Sequence, residues 1–185
     1  GMNIYLAMLL SLLAGCAAGF VTGVLHTKFG IPAILAGILT QIALYSVNLR
    51  IMSVKANQPL SAMKYRKILL VSLRSINKSL IVCGIFVVVI IALLYWFFGT
   101  ELGHSLRATG CNQAMARANG INTSTNKIIG FIVSNGIVAL SGGLLAQYQG
   151  FADVNMGRGA IVIGLAAIII GDVVFGKIFK NFALK

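Results

Sequence analysis

Few residues in this chain could act as acids, bases or metal ligands, and they lie far apart. The 185-residue sequence has three acidic residues, two histidines and three cysteines. None of them form the paired carboxylates or the Cys/His spacings that acid–base catalysis or metal binding requires. A phosphate-binding loop of the G-x-x-x-x-G-K-[ST] type is also missing from the sequence. The sequence therefore predicts no catalytic site and no metal site.

A short polar segment, residues 106–121, interrupts an otherwise apolar chain. Its sequence, LRATGCNQAMARANGI, carries two arginines, two asparagines and a glutamine. Asn112 is a suitable N-cap for a short helix through Ala118, and Asn119 with Gly120 is a typical stop signal for such a helix. A short amphipathic helix of this kind can dock in the groove of a partner protein. The alternative is a solvated loop that only connects its neighbours.

The elements that position this segment are helices of the membrane-spanning type. Of all residues, 58% are hydrophobic and 10% are charged, with a mean hydropathy of +0.94, whereas soluble domains are about a quarter charged. Four uncharged runs reach the roughly 20 residues that a helix needs to cross a bilayer. A fifth, shorter run is interpreted as a tilted span or a re-entrant segment.

The predicted fold is therefore all-α, a polytopic helical membrane protein with about five membrane segments in a single domain, residues 1–185. The predicted segments are residues 3–24, 31–49, 79–98, 128–149 and 159–176, with a polar loop at residues 101–127.

Small residues at regular spacing predict close helix packing. Gly15, Gly19 and Gly23 stand four residues apart in the first segment, and Gly142 belongs to a second stripe in the fourth. Lipid offers no hydrophobic drive for helices to associate, so contact must come from close packing of backbones. We expect these four glycines to lie at helix–helix contacts.

Polar side chains follow the fourth segment along one face. Asn135 and Gln149 share that face, and Ser134 and Ser141 lie beside it. Asn48 ends the second segment in a similar polar setting. Polar groups are costly in hydrocarbon and should face protein or a wet path. The interpretations left open are hydrogen bonding between helices and lining of a solute path.

The net charge of +12 favours contact with membrane lipid and not with nucleic acid. The basic residues fall between apolar runs, as they do where they flank spans and face anionic headgroups. They do not interleave with aromatic residues. Seven of the fifteen lie in residues 50–78, which we interpret as an interfacial helix or a solvated basic loop. Charge alone does not choose the orientation, because both predicted faces carry similar numbers of basic residues.

Three stretches resemble a known family. They are residues 102–122 (LGHSLRATGCNQAMARANGIN), residues 134–176 (SNGIVALSGGLLAQYQGFADVNMGRGAIVIGLAAIIIGDVVFG) and residues 21–52. They resemble the permease subunit of bacterial ATP-binding-cassette importers, in particular the branched-chain amino acid and ribose permease group and its amino-acid-linked branch. Relatives of this kind are longer at both ends, so the chain is expected to be partial.

The resemblance implies that residues 106–122 form a cytoplasmic coupling segment whose short helix sits in a cleft of an ATPase subunit. Residues suited to that contact are Arg107, Asn112, Met115, Arg117 and Ile121. Catalysis would belong to the partner, which would bind ATP-Mg, with no cofactor in this chain.

The resemblance further implies an extracytoplasmic solute-binding protein and a second permease subunit, in a homodimer, in the bacterial inner membrane. The translocation path would carry amino acids or a similar small solute. Its candidate residues, chosen for their polarity, are Asn48, Ser134, Asn135, Ser141 and Gln149. The alternatives are a secondary transporter or channel subunit, in which the polar loop only connects spans, and a non-transporting membrane fragment.

Overall fold

The computed structural model describes residues 4–52, 55, 57–59, 76–157 and 159–178. This part of the chain is mostly helical, which confirms the prediction of a polytopic helical membrane protein. The elements in chain order are α1 (Ile4–Thr27), α2 (Ala33–Ile51), β1 (Asn57–Pro59), α3 (Ile76–Phe98), α4 (Glu101–Cys111), α5 (Gln113–Ala118), α6 (Thr123–Gln149), β2 (Phe151–Asp153) and α7 (Ala160–Ile178).

Three helices are long and apolar enough to cross a membrane, namely α1, α2 and α6, with 24, 19 and 27 residues. The pair Cys83–Phe98 and Glu101–Cys111 passes the same test only as a span bent by 81°. Within α7, Val162–Gly171 is a shorter apolar stretch. The described residues thus hold three to four candidate spans and one shorter apolar helix.

The described residues also contain two short β-strands, so the fold is not purely helical. Strand β1 pairs antiparallel with β2, with Gln58 opposite Ala152. Strand β1 lies in the basic region for which the sequence favoured an interfacial helix or a loop; residues 60–75 of that region lie outside the described residues. A strand of three residues is too short to show an alternation of apolar and polar side chains. The pairing could therefore not be predicted from the sequence.

The main contact between spans joins α1 to α6 through the glycines of α1. An added Cβ at Gly19 would lie under 3.0 Å from the backbone of Phe131, and one at Gly15 would meet the backbone of Asn135 as closely. Gly23 continues the same contact at the beginning of α6. Because lower numbers on α1 face higher numbers on α6, the two helices are antiparallel.

On α6 the contact is made by Gly136, which is buried, and Gly143, and not by the glycine that the sequence suggested. A Cβ at Gly143 would lie 3.1 Å from the Ser11 hydroxyl oxygen, while nothing lies within 4 Å of one at Gly142. The Ser11 hydroxyl also donates to the carbonyl oxygen of Ala139 at 2.6 Å. The face of α6 that meets α1 therefore contains residues 139 and 143, and Gly142 is exposed on another face.

Helix α2 returns along α1 after a tight connection. The hydroxyls of Thr22 and Thr40 lie 2.9 Å apart in a buried contact. His26 Nδ1 lies 2.8 Å from the carbonyl oxygen of Ile31, which requires that this nitrogen carry the proton and donate. Beyond Thr40, residues 41–48 are exposed within the chain.

These contacts separate two ends of the molecule. One end consists of residues 28–32, α4, α5 and residues 119–122, and we call it the α5 end. The strand end contains β1 and β2. Helix α1 ends and α6 begins at the α5 end, since Gly23 faces Ile128. The spans therefore run back and forth between the two ends.

The glycine contact predicts that the same substitution affects the stability of the protein differently at two sites. Gly19→Ala should lower the thermal unfolding midpoint of the detergent-solubilised protein, because overpacking against backbone costs about 1–3 kcal/mol. Gly142→Ala, the matched control on α6, should leave the midpoint unchanged or raise it, because alanine favours a helix by roughly 1 kcal/mol. Fluorescence-detected size exclusion after heating measures both. Equal midpoints for the two variants would contradict the packing described.

Candidate functional site

The α5 end begins with a sharp bend between α3 and α4. The Thr100 hydroxyl donates to the carbonyl oxygen of Phe97 at 2.6 Å and accepts the backbone N–H of Gly103 at 3.4 Å. Gly103 is buried, and a Cβ there would come under 3.0 Å from the backbone of Phe98. Helix α4 was predicted only as polar loop. Thr100 as N-cap, followed by Glu101 in the first turn, was the signal that could have revealed it.

The short helix expected from Asn112 to Ala118 is confirmed as α5. The Asn112 side-chain oxygen accepts the backbone N–H groups of Ala114 and Met115 at 3.0 and 3.1 Å. At the other end the Asn119 amide donates to the carbonyl oxygen of Met115 at 3.1 Å, and Gly120 takes a φ of +77°. The stop signal acts as expected, because glycine adopts this left-handed conformation without strain.

Helix α5 rests on the chain through one buried residue. Ala116 is 1% exposed, and its carbonyl oxygen accepts the N–H of Ile121 at 3.0 Å. Met115 is 63% exposed. The helix therefore shows an apolar side chain outward at the surface of the molecule.

Both arginines of the predicted coupling segment have partners within the chain. Arg107 Cζ lies 5.4 Å from the centroid of the Phe98 ring, a cation–π distance. Arg117 Nε donates to the Thr123 hydroxyl at 3.0 Å. Both arginines remain exposed, so their charges reach the surface while their side chains help to hold the α5 end together.

A groove of about 510 Å³ runs beside α4 at the same end. Ile121, the remaining residue of the predicted coupling set, is half-buried and lines it. The other lining residues are Gly99, Glu101, His104, Ser105 and Ala108.

A buried polar contact that the sequence did not reveal joins α4 to α6. The Asn126 amide nitrogen donates to the hydroxyl oxygens of Ser105 and Thr109 at 3.1 and 3.0 Å. Asn126 and Thr109 are 7% and 4% exposed. Asn126 had no local signal beyond being a polar residue in the first turn of a span, because its partners are more than 15 residues away.

The residues proposed for a solute path fall into two groups. Ser134, Ser141 and Gln149 are exposed on the face of α6 that does not meet α1. Asn135 lies at the α1 contact instead, where its amide donates to the carbonyl oxygen of Phe131 at 2.9 Å. Asn48 is exposed on the part of α2 beyond its contact with α1. The structure thus brings three of the five onto one face.

Comparison with known proteins places this arrangement in a family. Residues 1–182 match the model of a family described as branched-chain amino acid transport system, permease component. The chain is 46% identical over 178 residues to a tyrosine transport system permease protein of Clostridioides difficile (strain R20291), which covers 96% of this chain and 58% of that protein.

Two further relatives extend the comparison. An uncharacterized protein of Rickettsia prowazekii (strain Madrid E) is 35% identical, over 99% of this chain and 64% of its own length. The autoinducer 2 import system permease protein LsrC of Yersinia pseudotuberculosis (strain YPIII) is 30% identical, over 94% of this chain and 48% of its own length. No solved structure matches the chain.

The chain spans less than two thirds of the length of these relatives. The match over residues 1–182 covers all three stretches on which the resemblance was based, so that resemblance is confirmed. The chain belongs to the permease component family of branched-chain amino acid transport systems, and it is a multi-pass membrane protein.

Proposed function

We propose that this chain is part of the permease of an ATP-driven amino acid importer, and that α5 docks it on a separate ATPase subunit. The observation that carries the proposal is α5 itself, a capped six-residue helix that shows Met115 outward at the end where α1 ends and α6 begins. A solvated loop would need neither the Asn112 cap nor the buried Ala116.

The surface around α5 suits an acidic partner with an apolar groove. The basic residues at this end include Lys28, Arg107 and Arg117, all exposed, and the acid Glu101 is exposed at the same end. Methionine adapts its shape to a partner and is frequent at such contacts. The proposed docking face is therefore Met115 with the charges of Arg107 and Arg117 beside it.

The α5 end is accordingly proposed as the cytoplasmic end, with the ATP-Mg site on the ATPase. The strand end then faces the extracytoplasmic solute-binding protein. A second permease subunit, in a homodimer, would complete the path by covering the exposed face of α6.

Identity favours an amino acid as the solute. The relative named as a tyrosine permease is 46% identical, while the one named for autoinducer 2 import is 30% identical. Tyrosine is therefore the first solute to test. We propose that Ser134, Ser141 and Gln149 line the path, because polar side chains on a span need protein or water to face.

Docking through Met115 predicts a loss of ATPase capture. Met115→Glu should abolish co-purification of the permease with the ATPase encoded nearby, because a charge at the centre of an apolar contact costs about 2 kcal/mol or more, roughly 30-fold in affinity. Met115 is preferred to the arginines as a test site, since it holds no side-chain hydrogen bond within the described residues. Quantitative pull-down from solubilised membranes measures the effect.

The matched control is Gln58→Glu, an exposed position in β1 at the strand end. It introduces the same charge and should capture the ATPase as the wild type does. If the wild type inserts in the membrane but captures no ATPase, the proposed docking through α5 fails for this chain, and the alternatives to test are a non-transporting membrane fragment and a secondary transporter or channel subunit.

The proposed path predicts a loss of uptake without a loss of docking. Ser141→Leu should reduce the uptake of radiolabelled tyrosine roughly 2- to 10-fold, the effect of losing one hydrogen bond, while ATPase capture is retained. Val138→Leu on the same exposed face is the control that adds bulk without removing a hydroxyl. If Ser141→Leu takes up tyrosine as the wild type does, Ser141 does not line the path.

A further inference from the structure

The contact between α4 and α6 has a fixed direction of hydrogen bonding. The Thr109 hydroxyl donates to the carbonyl oxygen of Ser105 at 2.8 Å, and the Ser105 hydroxyl donates to that of Leu102 at 3.0 Å. Each hydroxyl has a single hydrogen, which these bonds use. Both hydroxyl oxygens can therefore only accept from the Asn126 amide, and the two amide hydrogens match the two acceptors.

The same end of α6 is attached to α4 and α5 by two further contacts. Thr123 is 3% exposed and accepts the bond from Arg117. The side chain of Leu106 on α4 packs over Gly130, where an added Cβ would lie 3.7 Å from Leu106 Cδ1. Together with the amide of Asn126, these contacts make α4, α5 and the first turns of α6 one packed unit.

That unit continues into α1. Helix α6 is in backbone contact with α1 at Gly15, Gly19 and Gly23, so a displacement of the beginning of α6 must also displace α1. Among the described residues, α6 makes no comparable contact with α2, α3 or α7. A push on α5 therefore has a packed route along the spans through α6 and α1, beside the direct connection of α4 to α3.

We propose that Asn126 is a positioning residue that transmits movement of α5 to the α6–α1 pair. The inference rests on the proposed docking of an ATPase at α5 and adds to it which spans move and which side chain makes them move. Without the amide, α4 and α5 keep the loop at residues 119–122 and the contacts of Thr123 and Leu106 with α6.

The direction of the hydrogen bonds gives a sharp choice of variants. Asn126→Asp keeps the shape of the side chain but offers no hydrogen, so the two hydroxyls can bind it only by giving up their bonds to the carbonyl oxygens of Leu102 and Ser105. Asn126→Leu keeps a similar volume and removes the polar group. Both should weaken transmission, whereas Ser105→Ala, which removes one of two acceptors, should have a smaller effect.

The experiment uses the full-length permease in complex with its ATPase, in nanodiscs, with Cys16, Cys83 and Cys111 replaced. A single reporter, Tyr148→Cys, lies exposed near the end of α6 at the strand end. The measured quantity is the rate of maleimide labelling with and without ATP and vanadate. This readout needs no knowledge of the solute. A purely structural role of Asn126 would shift the rates with and without ATP alike and leave their difference unchanged.

In the wild type, ATP and vanadate should change the labelling rate. Asn126→Asp and Asn126→Leu should reduce that change roughly 2- to 30-fold, the range of coupling effects of single residues, with ATPase capture and ATP hydrolysis retained. The control Ser124→Leu, an exposed neighbour on the same turn, should retain the full change.

Three results would overturn the inference. These are a wild-type response that persists in both Asn126 variants, a response lost equally in Ser124→Leu, and no response in a wild type that hydrolyses ATP. If the Asn126 variants do not give a monodisperse complex, Ser105→Ala decides, since an unchanged response there also contradicts the proposal. Failure of the wild type to capture the ATPase is a different result, because it contradicts the proposed function itself.

Discussion

The close approach of α1 to α6 is the contact on which the rest of the structure depends. Lipid solvates apolar side chains as well as protein does, so spans associate through dispersion and hydrogen bonds that act only at short range. Gly15 and Gly19 allow the two backbones to meet, and the Ser11 bond to Ala139 fixes their register. This contact sets the α5 end and the strand end at opposite ends of one antiparallel pair.

The buried residues of the chain fit that requirement. Among the described residues the buried apolar side chains are Met8, Ala36 and Ala116, while threonines and Asn126 make up the buried polar ones. Large apolar side chains are exposed along α2, α3 and α7. In water such a surface would be strongly unfavourable, but in a bilayer its exposure has little cost, and the tight contacts are left to small and hydroxyl-bearing residues.

The sequence predicted the features that depend on local signals. Asn112, Asn119 and Gly120 act within one turn of α5, so its bounds could be read from residue types. The features that the sequence did not predict depend on contacts between residues that are distant in the chain. Whether Gly142 or Gly143 faces α1 depends on a rotation of α6 by about 100°, and the strand pairing and the Asn126 contact join segments that no periodicity connects. The roles proposed in coupling and in the path stay predictions.

The contacts of α5 with its neighbours explain how so short a helix is stable. Six residues cannot form a stable helix in isolation, because nucleation costs more than so few bonds return. The Asn112 cap, the burial of Ala116 and the bond from Arg117 to Thr123 supply the missing stability. The charge of Arg117 is therefore held by one of the contacts that attach α5 to α6, whereas Arg107 is held by Phe98 of α3. The proposed docking face and the proposed transmission to the spans therefore have Arg117 in common, while Met115 and Asn126 each serve one of the two roles.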